Sequence, residues 1–185
     1  KNPVIIATEE YMLNAVGLPD AGIEKSREEI VAFRKESDAP LIPNIVAGSP
    51  DDFAEVAEKA AELNPDMIEV NISCPNVKEE FGELFSSGER AAETFTTLVK
   101  KRVGNIPITI KLSPNTPNIG QVAKAAEDAG ADAITAVNTM GPGMRIDIDL
   151  QRPVLKNKFG GVSGPALFPI ALAKVWEVYN AVSIP

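Results

Sequence analysis

Four short apolar runs recur along the chain, and each has the length and composition of a strand buried on both faces. The segments between them place apolar residues on one helical face and polar residues on the other, which predicts amphipathic helices. The predicted strands cover residues 41–47, 67–72, 107–112 and 133–138. The predicted helices cover residues 50–63, 89–102, 120–129 and 165–181.

Local signals support two of these helix boundaries. Ser49 stands in the N-cap position before Pro50 and two aspartates, which suits the first turn of a helix. Gly130 follows the helix 120–129 and is a usual C-cap residue. The segment 139–164 contains glycine and proline and predicts a long loop, in which the run Met140-Gly141-Pro142-Gly143-Met144 reads as a turn.

Alternating strands and helices indicate a parallel sheet covered by helices. Residues 60–71 resemble residues 125–138, since each segment is a helix end followed by a strand that closes on Val-Asn. This repetition favours a (β/α)8 barrel over a doubly wound sheet, and no Gly-x-Gly-x-x-Gly run follows a strand. The expected fold class is therefore α/β, a (β/α)8 TIM barrel.

The chain length limits how much of a barrel is present. A barrel has eight strands and typically ~250 residues, whereas this chain has 185 residues and four predicted core strands. We expect residues 1–185 to be the central part of a single barrel domain, covering strands 2–5 and their flanking helices. The N-terminal strand and the C-terminal strands would be absent from this sequence, and residues 3–17 would lie between barrel strands one and two.

Composition removes several classes of protein. The formal net charge of -8 argues against general affinity for nucleic acid or an anionic membrane. No stretch approaches 18 apolar residues, and the first residues lack the layout of a signal peptide. A single cysteine cannot form an internal disulfide framework. We therefore expect a cytoplasmic protein that binds neither nucleic acid nor membrane.

The chain contains no histidine. This absence excludes a Ser-His-Asp triad, a Cys-His pair and every histidine-ligated zinc site within these residues. A residue that transfers a proton near neutral pH would have to be a cysteine, a lysine, a tyrosine or a carboxylate. The acidic cluster Glu79, Glu80 and Glu83 reads as a solvated loop face, so no metal site is expected.

Each predicted strand carries one polar side chain within or at the end of its apolar run. These residues are Asn44, Asn71, Lys111 and Asn138. Catalytic groups in barrels lie at the carboxyl ends of the strands, and a buried amide or ammonium costs free energy unless it has a partner. Four such residues, one for each unit, predict a planar ligand rich in donors and acceptors, with negative charge near Lys111.

Cys74 lies three residues after Asn71, between Ser73 and Pro75. A lone cysteine is often a small buried hydrophobe. A thiol with a pKa of about 8.5 also suits proton abstraction better than a carboxylate does. Spacing alone leaves both interpretations of Cys74 open.

Two further features give weaker signals. The run Gly160-Gly161-Val162-Ser163-Gly164 precedes a predicted helix, so it is either a plain loop or a loop that sets backbone N–H groups against a phosphate or flavin. Trp176 and Tyr179 lie three residues apart on the last predicted helix. That spacing favours a core or interface position over a platform for a cofactor.

Five ordered motifs resemble those of class 1 dihydroorotate dehydrogenases, closest to the NAD-linked, two-subunit branch, and the resemblance covers essentially the whole chain. The signature loop is the run Asn71-Ile72-Ser73-Cys74-Pro75-Asn76. The other motifs are Leu13-Asn14-Ala15-Val16-Gly17-Leu18-Pro19, Lys111-Leu112-Ser113-Pro114-Asn115, Val137-Asn138-Thr139 and Gly160-Gly161-Val162-Ser163-Gly164-Pro165-Ala166.

The resemblance implies oxidation of dihydroorotate to orotate in pyrimidine synthesis, with FMN as hydride acceptor. Cys74 would take the proton from C5 of dihydroorotate, and its presence where class 2 relatives have serine argues for class 1. The substrate ring and carboxylate would be held by a set of polar side chains and by the backbone of one loop. These are Asn14, Asn71, Asn76, Asn138 and Thr139, with the backbone of Val16, Gly17 and Leu18.

The resemblance also implies an FMN site. Lys111 would lie near the N1–C2=O edge of the flavin and stabilise its anionic reduced form. Asn44, Val137 and Gly164 would contact FMN, and Asn71 would touch both ligands. The family's first-strand lysine would precede Lys1, and its glycine-rich segments for the FMN phosphate would follow Pro185.

Two alternatives stay open beside this function. One is an enzyme similar to dihydropyrimidine dehydrogenase, a group that prefers histidine where this chain has Asn76. The other is a barrel that binds flavin or phosphate without catalysis. For the leading function, the resemblance implies a homodimer and an electron-transfer subunit that holds FAD and an iron–sulfur cluster and passes electrons to NAD. Fumarate as acceptor stays open.

Overall fold

The computed structural model describes residues 3–19, 21–73 and 88–185. Helices and strands alternate through the middle of the chain, and shorter strands precede and follow them. In chain order the elements are β1 (Ile5–Ala7), β2 (Met12–Asn14), α1 (Ile23–Glu36), β3 (Asn44–Ile45), α2 (Pro50–Ala61), β4 (Ile68–Asn71), α3 (Glu89–Val103), β5 (Ile108–Lys111), α4 (Ile119–Asp128), β6 (Ala133–Thr135), β7 (Met140–Met144), β8 (Ile146–Asp147), β9 (Arg152–Pro153), β10 (Phe159–Ser163), a 3-10 helix (Pro165–Leu167) and α5 (Phe168–Tyr179).

The predicted parallel sheet is present. Its strands follow the order β3-β4-β5-β6, and each neighbouring pair is parallel. Because consecutive strands are neighbours and helices α2, α3 and α4 connect them, the sheet is built from successive βα units. This arrangement confirms the predicted strands and helices of residues 41–138, although each strand is shorter than its apolar run.

The two faces of this sheet differ in chemistry because successive side chains of a strand point to opposite faces. Ile68 and Val70 of β4 and Ile108 and Ile110 of β5 are fully buried in one cluster with apolar residues of α2, α3 and α4. Within that cluster Phe53 of α2 meets the ring edge of Phe95 of α3, with centroids 4.8 Å apart. The alternate positions form the opposite face of the sheet.

That opposite face is polar, and we call it the polar face. It carries six polar side chains from the four strands: Asn44, Glu69, Asn71, Thr109, Lys111 and Thr135. A face of this composition cannot pack as a hydrophobic core, because each buried polar group needs a hydrogen-bond partner. The polar face is therefore where a ligand or a polar network must lie.

The expected helix termini agree with the structure. The side chain of Ser49 accepts a hydrogen bond from the backbone N–H of Asp52 at 3.1 Å, with Pro50 in the first turn of α2. Helix α4 ends at Asp128, and Gly130 adopts a φ of 99°, a backbone conformation that favours glycine after a helix.

The prediction of a loop over residues 139–164 is wrong, and so is the turn at Met140–Met144. Strands β7 and β10 pair antiparallel, and β10 also pairs with β2, which gives a sheet of order β1-β2-β10-β7. These strands could not be predicted from the hydrophobic pattern, because they have glycine at positions where a strand usually alternates apolar and polar residues. A Cβ atom on Gly160 would lie 2.5 Å from the carbonyl oxygen of Asn14, so the close strand pairing requires glycine there.

Two other segments contain elements that were not predicted. Residues 3–17 contain the antiparallel pair β1 and β2. Helix α1 was not predicted, because none of its residues is buried and it shows no strong apolar stripe. Its Arg34 donates hydrogen bonds to the carboxylate of Asp66 at 2.9 Å and to the carbonyl of Ala39 at 3.2 Å, so polar contacts hold α1 beside the parallel sheet.

Helix α5 exposes large side chains in the described structure. Trp176 and Tyr179 stack with ring centroids 5.9 Å apart, and they are 64% and 72% exposed. The pair therefore does not lie in the core formed by the described residues, and an interface position stays a prediction. Among the described residues, none of the helices combines the length and the apolar character needed to cross a membrane.

Candidate active site

The carboxyl ends of the parallel strands bring the predicted polar residues to one edge of the sheet. Asn71, the last residue of β4, lies opposite Lys111, the last residue of β5, and Lys111 lies opposite Thr135 of β6. Asn44 of β3 lies opposite Glu69 of β4. Asn71 and Lys111 therefore lie side by side at strand ends, whereas Asn44 is the first residue of β3 and lies beside Glu69, two residues before the end of β4.

Lys111 has an ion-pair partner that the sequence analysis did not name. Its Nζ lies 3.3 Å from Oε1 of Glu69, and the two side chains are 26% and 17% exposed. Asn44 donates a hydrogen bond to the same carboxylate oxygen. The polar face therefore holds a half-buried cation beside a half-buried anion.

The carboxylate of Glu69 is ionised at neutral pH. Burial pushes the pKa of Glu69 upward, but hydrogen bonds from Asn44 and Thr135 and the positive charge of Lys111 outweigh it, so the pKa lies below its ordinary value. Since an ionised carboxylate can only accept, the hydroxyl of Thr135 donates to it. The hydroxyl of Thr109, 2.9 Å from that of Thr135, must then donate to Thr135.

A second polar chain joins Asn71 to Asn138 through Ser73. The Oδ1 atom of Asn71 accepts hydrogen bonds from the backbone N–H of Ser73 at 3.2 Å and from its hydroxyl at 2.6 Å. Because a backbone N–H can only donate, the atom facing it must be the oxygen of the amide. The Nδ2 group of Asn71 is therefore not used in these contacts and is the end that a ligand would meet.

The orientation of Asn138 follows from a similar contact. The backbone N–H of Thr139 donates to Oδ1 of Asn138 at 2.8 Å. The Nδ2 group of Asn138 then donates to the hydroxyl of Ser73 and, at 3.4 Å, to Oδ1 of Asn71. Asn138 lies three residues beyond the end of β6, so this chain ties the segment after β6 to the end of β4.

Thr139 connects the parallel sheet to the antiparallel one. A Cβ atom on Gly161 of β10 would lie 2.7 Å from Cβ of Thr139, and its hydroxyl oxygen would be closer still. Gly161 pairs in register with Asn14 of β2. Asn14 and Thr139 therefore both lie next to Gly161, Asn14 as its partner in the neighbouring strand and Thr139 against the position of its missing Cβ atom. That both residues serve one pocket stays a prediction.

The loop after β2 holds the other predicted backbone contacts. Val16 and Leu18 are 39% and 44% exposed, and Gly17 and Leu18 adopt φ angles of 82° and 52°. Positive φ is uncommon for leucine, so the turn at this position is a specific local conformation. The structure places this loop directly after Asn14, at the exposed end of β2.

The remaining predicted cofactor residues lie at two separate places. Val137 is half-buried beside the main hydrophobic cluster, two residues past β6. Gly164 adopts a φ of 100° between β10 and the 3-10 helix, and a Cβ there would lie 3.2 Å from Cα of Tyr11. Glycine is therefore required at 164 by conformation and by space. The loop predicted over 160–164 is limited to Gly164, since the preceding residues form β10.

Cys74 and Asn76 fall outside the described residues, as do Glu79, Glu80 and Glu83. The proposed base and one proposed substrate contact therefore stay predictions. Ser73 immediately precedes Cys74 and is held by Asn71 and Asn138. The described residues show no group of three His, Cys, Asp or Glu side chains placed to bind a metal ion.

Sequence reasoning missed Glu69, Ser73, Thr109 and Thr135. The signal was present as a strict alternation in the runs Ile68-Glu69-Val70-Asn71 and Ile108-Thr109-Ile110-Lys111. A strand buried by helices on one face and by polar partners on the other shows this period of two. Treating the runs as uniformly apolar concealed the polar face.

The donor set of the polar face suits a flavin ring. Amide groups of Asn44 and Asn71 can bond a planar ring that carries both donors and acceptors, and Lys111 supplies a cation at the same edge. These residues therefore fit the group that the family resemblance implies.

Parallel βα units that present polar side chains at the carboxyl ends of their strands are the arrangement found in a (β/α)8 barrel. The family model described as dihydroorotate dehydrogenase matches residues 1–185. The chain belongs to the dihydroorotate dehydrogenase family, and the expected barrel class is confirmed.

Two curated relatives illustrate the similarity. The chain is 40% identical to the catalytic subunit of dihydroorotate dehydrogenase B (NAD(+)) from Methanothermobacter thermautotrophicus, over 100% of this chain and 60% of that protein. It is 45% identical to the subunit of the same name from Geobacillus kaustophilus, over 99% of this chain and 58% of that protein. The chain thus spans about three fifths of the length of the relatives it matches.

Solved structures overlap the chain less well. The carboxyl transferase domain of Rhizobium etli pyruvate carboxylase with oxalate matches 63% of this chain and 19% of its own, with a TM-score of 0.46 and 17% identity. A likeness at this level decides neither fold nor function.

Proposed function

We propose that the protein containing these residues oxidises dihydroorotate to orotate, with FMN as hydride acceptor, in the biosynthesis of pyrimidines. The observation that carries the proposal is the juxtaposition of Asn71 and Lys111 at the carboxyl edge of the sheet, with Asn138 bonded to Asn71. Family membership supports the same reaction. Amides beside a cation match a pyrimidine dione beside a flavin.

Five described residues would hold the flavin, and one of them, Asn71, would also touch the substrate. Lys111 would place its ammonium at the ring, where it favours a negatively charged form of that ring. Asn44 would contribute a polar contact from β3, while Val137 and the backbone at Gly164 would contribute packing and close approach. When bound, FMN supplies the acceptor for the hydride that leaves C6 of dihydroorotate.

The substrate would be held by the amides of the second polar chain. The oriented Nδ2 group of Asn71 can donate to a ring carbonyl or a carboxylate oxygen. Asn14, Asn138 and Thr139 would complete the contacts, since Gly161 brings the last of these close to β2. Asn76 and the backbone of 16–18 would close the pocket.

Cys74 would act as the base that removes the proton from C5 of dihydroorotate. A thiol has an ordinary pKa of about 8.5, so its thiolate is accessible near neutral pH. Its neighbour Ser73 is fixed by hydrogen bonds to Asn71 and Asn138. These hydrogen bonds fix the position of Ser73, the residue directly before Cys74. We propose that they thereby keep the thiol beside the bound ring.

The electrons would leave through a partner protein. The relatives at 40–45% identity are named as the NAD(+)-linked catalytic subunit of dihydroorotate dehydrogenase B. A catalytic subunit of this kind implies a second subunit that passes electrons to NAD, and we propose FAD and an iron–sulfur cluster as the carriers in that subunit. We also propose that the catalytic chain forms a homodimer.

Anaerobic titration of the full-length, flavin-loaded protein tests the proposed function. Dihydroorotate should bleach the flavin absorbance stoichiometrically, whereas dihydrouracil should leave it unchanged. Subsequent addition of NAD should restore the absorbance only with the partner subunit present, and fumarate should not restore it. Bleaching by dihydrouracil but not by dihydroorotate would contradict the proposal and favour a dihydropyrimidine dehydrogenase.

A further inference from the structure

We propose that Glu69 is the positioning residue for Lys111, the counter-charge that fixes the lysine ammonium at the carboxyl edge of the sheet and offsets its positive charge at the flavin. This inference rests on the proposed function, because it assigns a role toward the flavin that function requires. It adds a residue that the family motifs quoted above do not include.

The two side chains lie diagonally on the polar face. Glu69 of β4 is in register with Thr109 of β5, two residues before Lys111, so the pair spans neighbouring strands with an offset of two. Side chains with this offset on one face are within reach when they are long. The observed separation of 3.3 Å between Nζ of Lys111 and Oε1 of Glu69 is that contact.

Glu69 is itself held from both sides. Asn44 donates to it from β3, and Thr135 donates to it from β6, where Thr109 supports Thr135. Because the Glu69 carboxylate accepts hydrogen bonds from strands on both sides, it has little freedom to change conformation when Lys111 moves. The carboxylate therefore acts as the fixed member of the pair, and Lys111 is the member that is positioned.

The setting of this pair distinguishes it from the other ion pairs of the described chain. Glu69 is the one carboxylate on the polar face among the described strands of the parallel sheet. The buried setting weakens solvent screening of its charge. By contrast, Asp132 contacts Lys100 at 2.6 Å and the backbone N–H of Ile108 at 2.8 Å, near the amino ends of β5 and β6.

Opposite charges this close largely cancel at a third site on the same face. Removing the anion alone should make the site more positive, and removing the cation alone should make it more negative. Removing both should return the net charge of the pair to zero. A purely structural role for Glu69 predicts no such symmetry, so the midpoint potential of the bound flavin separates the two cases.

The test compares four forms of the full-length, FMN-loaded protein: wild type, Glu69→Gln, Lys111→Met and the double variant. The two-electron midpoint potential is measured by reductive titration with a chemical reductant and an indicator dye, without dihydroorotate. Glu69→Gln should favour reduced over oxidised flavin by about tenfold, a rise of ~30 mV. Lys111→Met should lower the potential, and the double variant should lie within about threefold of wild type.

Two matched variants control the comparison. Glu69→Asp keeps the negative charge and should stay within about threefold of wild type, whereas Asp132→Asn removes a carboxylate from the opposite edge and should leave the potential unchanged. The proposal is overturned if Glu69→Gln leaves the potential at the wild-type value, if Glu69→Asp moves it as far as Glu69→Gln does, or if the double variant equals Lys111→Met.

A flavin-independent readout keeps this inference separate from the proposed function. Urea unfolding of the apoprotein forms gives a double-mutant cycle for residues 69 and 111, and direct pairing predicts that the two single effects are not additive. Additive effects would contradict the pairing even if dihydroorotate bleached the wild-type flavin. A wild-type protein that kept the coupling but failed to react with dihydroorotate would contradict the proposed function alone.

Discussion

Asn71 and Lys111 are the last residues of two neighbouring parallel strands and lie opposite each other. An amide and an ammonium therefore lie side by side at the carboxyl edge of the sheet. The apolar pattern of the strands does not account for either residue, because each is a polar side chain that interrupts an apolar run. The parallel register brings them together although they are far apart in sequence. Each then acquires its own polar partner, Ser73 for Asn71 and Glu69 for Lys111.

Ser73 should matter for substrate affinity because its hydroxyl fixes the orientation of two amides. Ser73→Ala removes the hydrogen bonds that join Asn138 to Asn71 through that hydroxyl. We expect the loss of these hydrogen bonds to weaken dihydroorotate binding by about 1 kcal/mol. The KM for dihydroorotate should then rise roughly five- to tenfold, with flavin content unchanged. Steady-state kinetics of the full-length protein measure this.

Ser37→Ala is the matched control for that substitution, since the Ser37 hydroxyl accepts only a local hydrogen bond from the Ala39 N–H at an exposed position. Its KM should equal the wild-type value. An unchanged KM in Ser73→Ala would show that the hydroxyl does not orient the substrate amides.

Gly161 should not tolerate a side chain. A methyl group at 161 would overlap Thr139, which belongs to the segment after β6, so Gly161→Ala must displace either β10 or Thr139. Overpacking of this kind costs about 1–3 kcal/mol, and we expect a loss of that size in the free energy of unfolding measured with urea. Dihydroorotate affinity should fall as well, because a shift of either segment changes the position of Thr139 relative to β2.

Gly48→Ala is the matched control, at a glycine where a Cβ atom can be accommodated. The nearest atom to a Cβ there is a carboxylate oxygen of Asp52 at 3.6 Å, an ordinary contact. Its unfolding free energy should stay within about 0.5 kcal/mol of wild type. Equal stability of the two alanine variants would mean that Thr139 does not lie against β10.

Asp132 should make stability depend on pH on the acid side. Burial pushes the pKa of Asp132 up, but the hydrogen bonds from Lys100 and the backbone N–H of Ile108 outweigh it, so the pKa lies below its ordinary value of 3.8. A lowered folded pKa contributes stability that is complete above 3.8 and is lost as the pH falls through the folded value. Stability should therefore fall less steeply with acid in Asp132→Asn.

Urea unfolding at pH 7, 4 and 3 measures this difference. The gap in unfolding free energy between wild type and Asp132→Asn should be largest at pH 7 and should shrink at pH 3. A gap that is constant over this range would show that the ionised carboxylate is not the group that stabilises this edge of the sheet.

The parallel sheet and its helices could be predicted from the sequence because strong physical signals mark them. Apolar runs such as 107–112 cannot be exposed without cost, and Ser49 with Pro50 marks a helix start independently of tertiary structure. Helix α1 gave no such signal, since none of its residues is buried. Its place depends on polar contacts such as Arg34 with Asp66.

The antiparallel sheet could not be predicted for a different reason. Its strands β7 and β10 are rich in glycine, and their pairing depends on close backbone approach rather than on side-chain burial. The amides and Lys111 of the candidate site were visible because polar residues interrupt apolar runs. The alternation in the run 68–71 marks Glu69 as a residue of the polar face, but its partners could not be predicted, because they come from β3, β5 and β6 and only the fold brings those strands together.

Cys74→Ser tests the central claim most directly. Full-length, flavin-loaded wild type and variant are mixed anaerobically with dihydroorotate at neutral pH, and flavin bleaching is followed by stopped-flow absorbance. A serine hydroxyl is a far weaker base than a thiolate near neutral pH. The account predicts that bleaching slows by several orders of magnitude while flavin content and dihydroorotate binding stay close to wild type. Bleaching of the variant at the wild-type rate would contradict the assignment of Cys74 as the base.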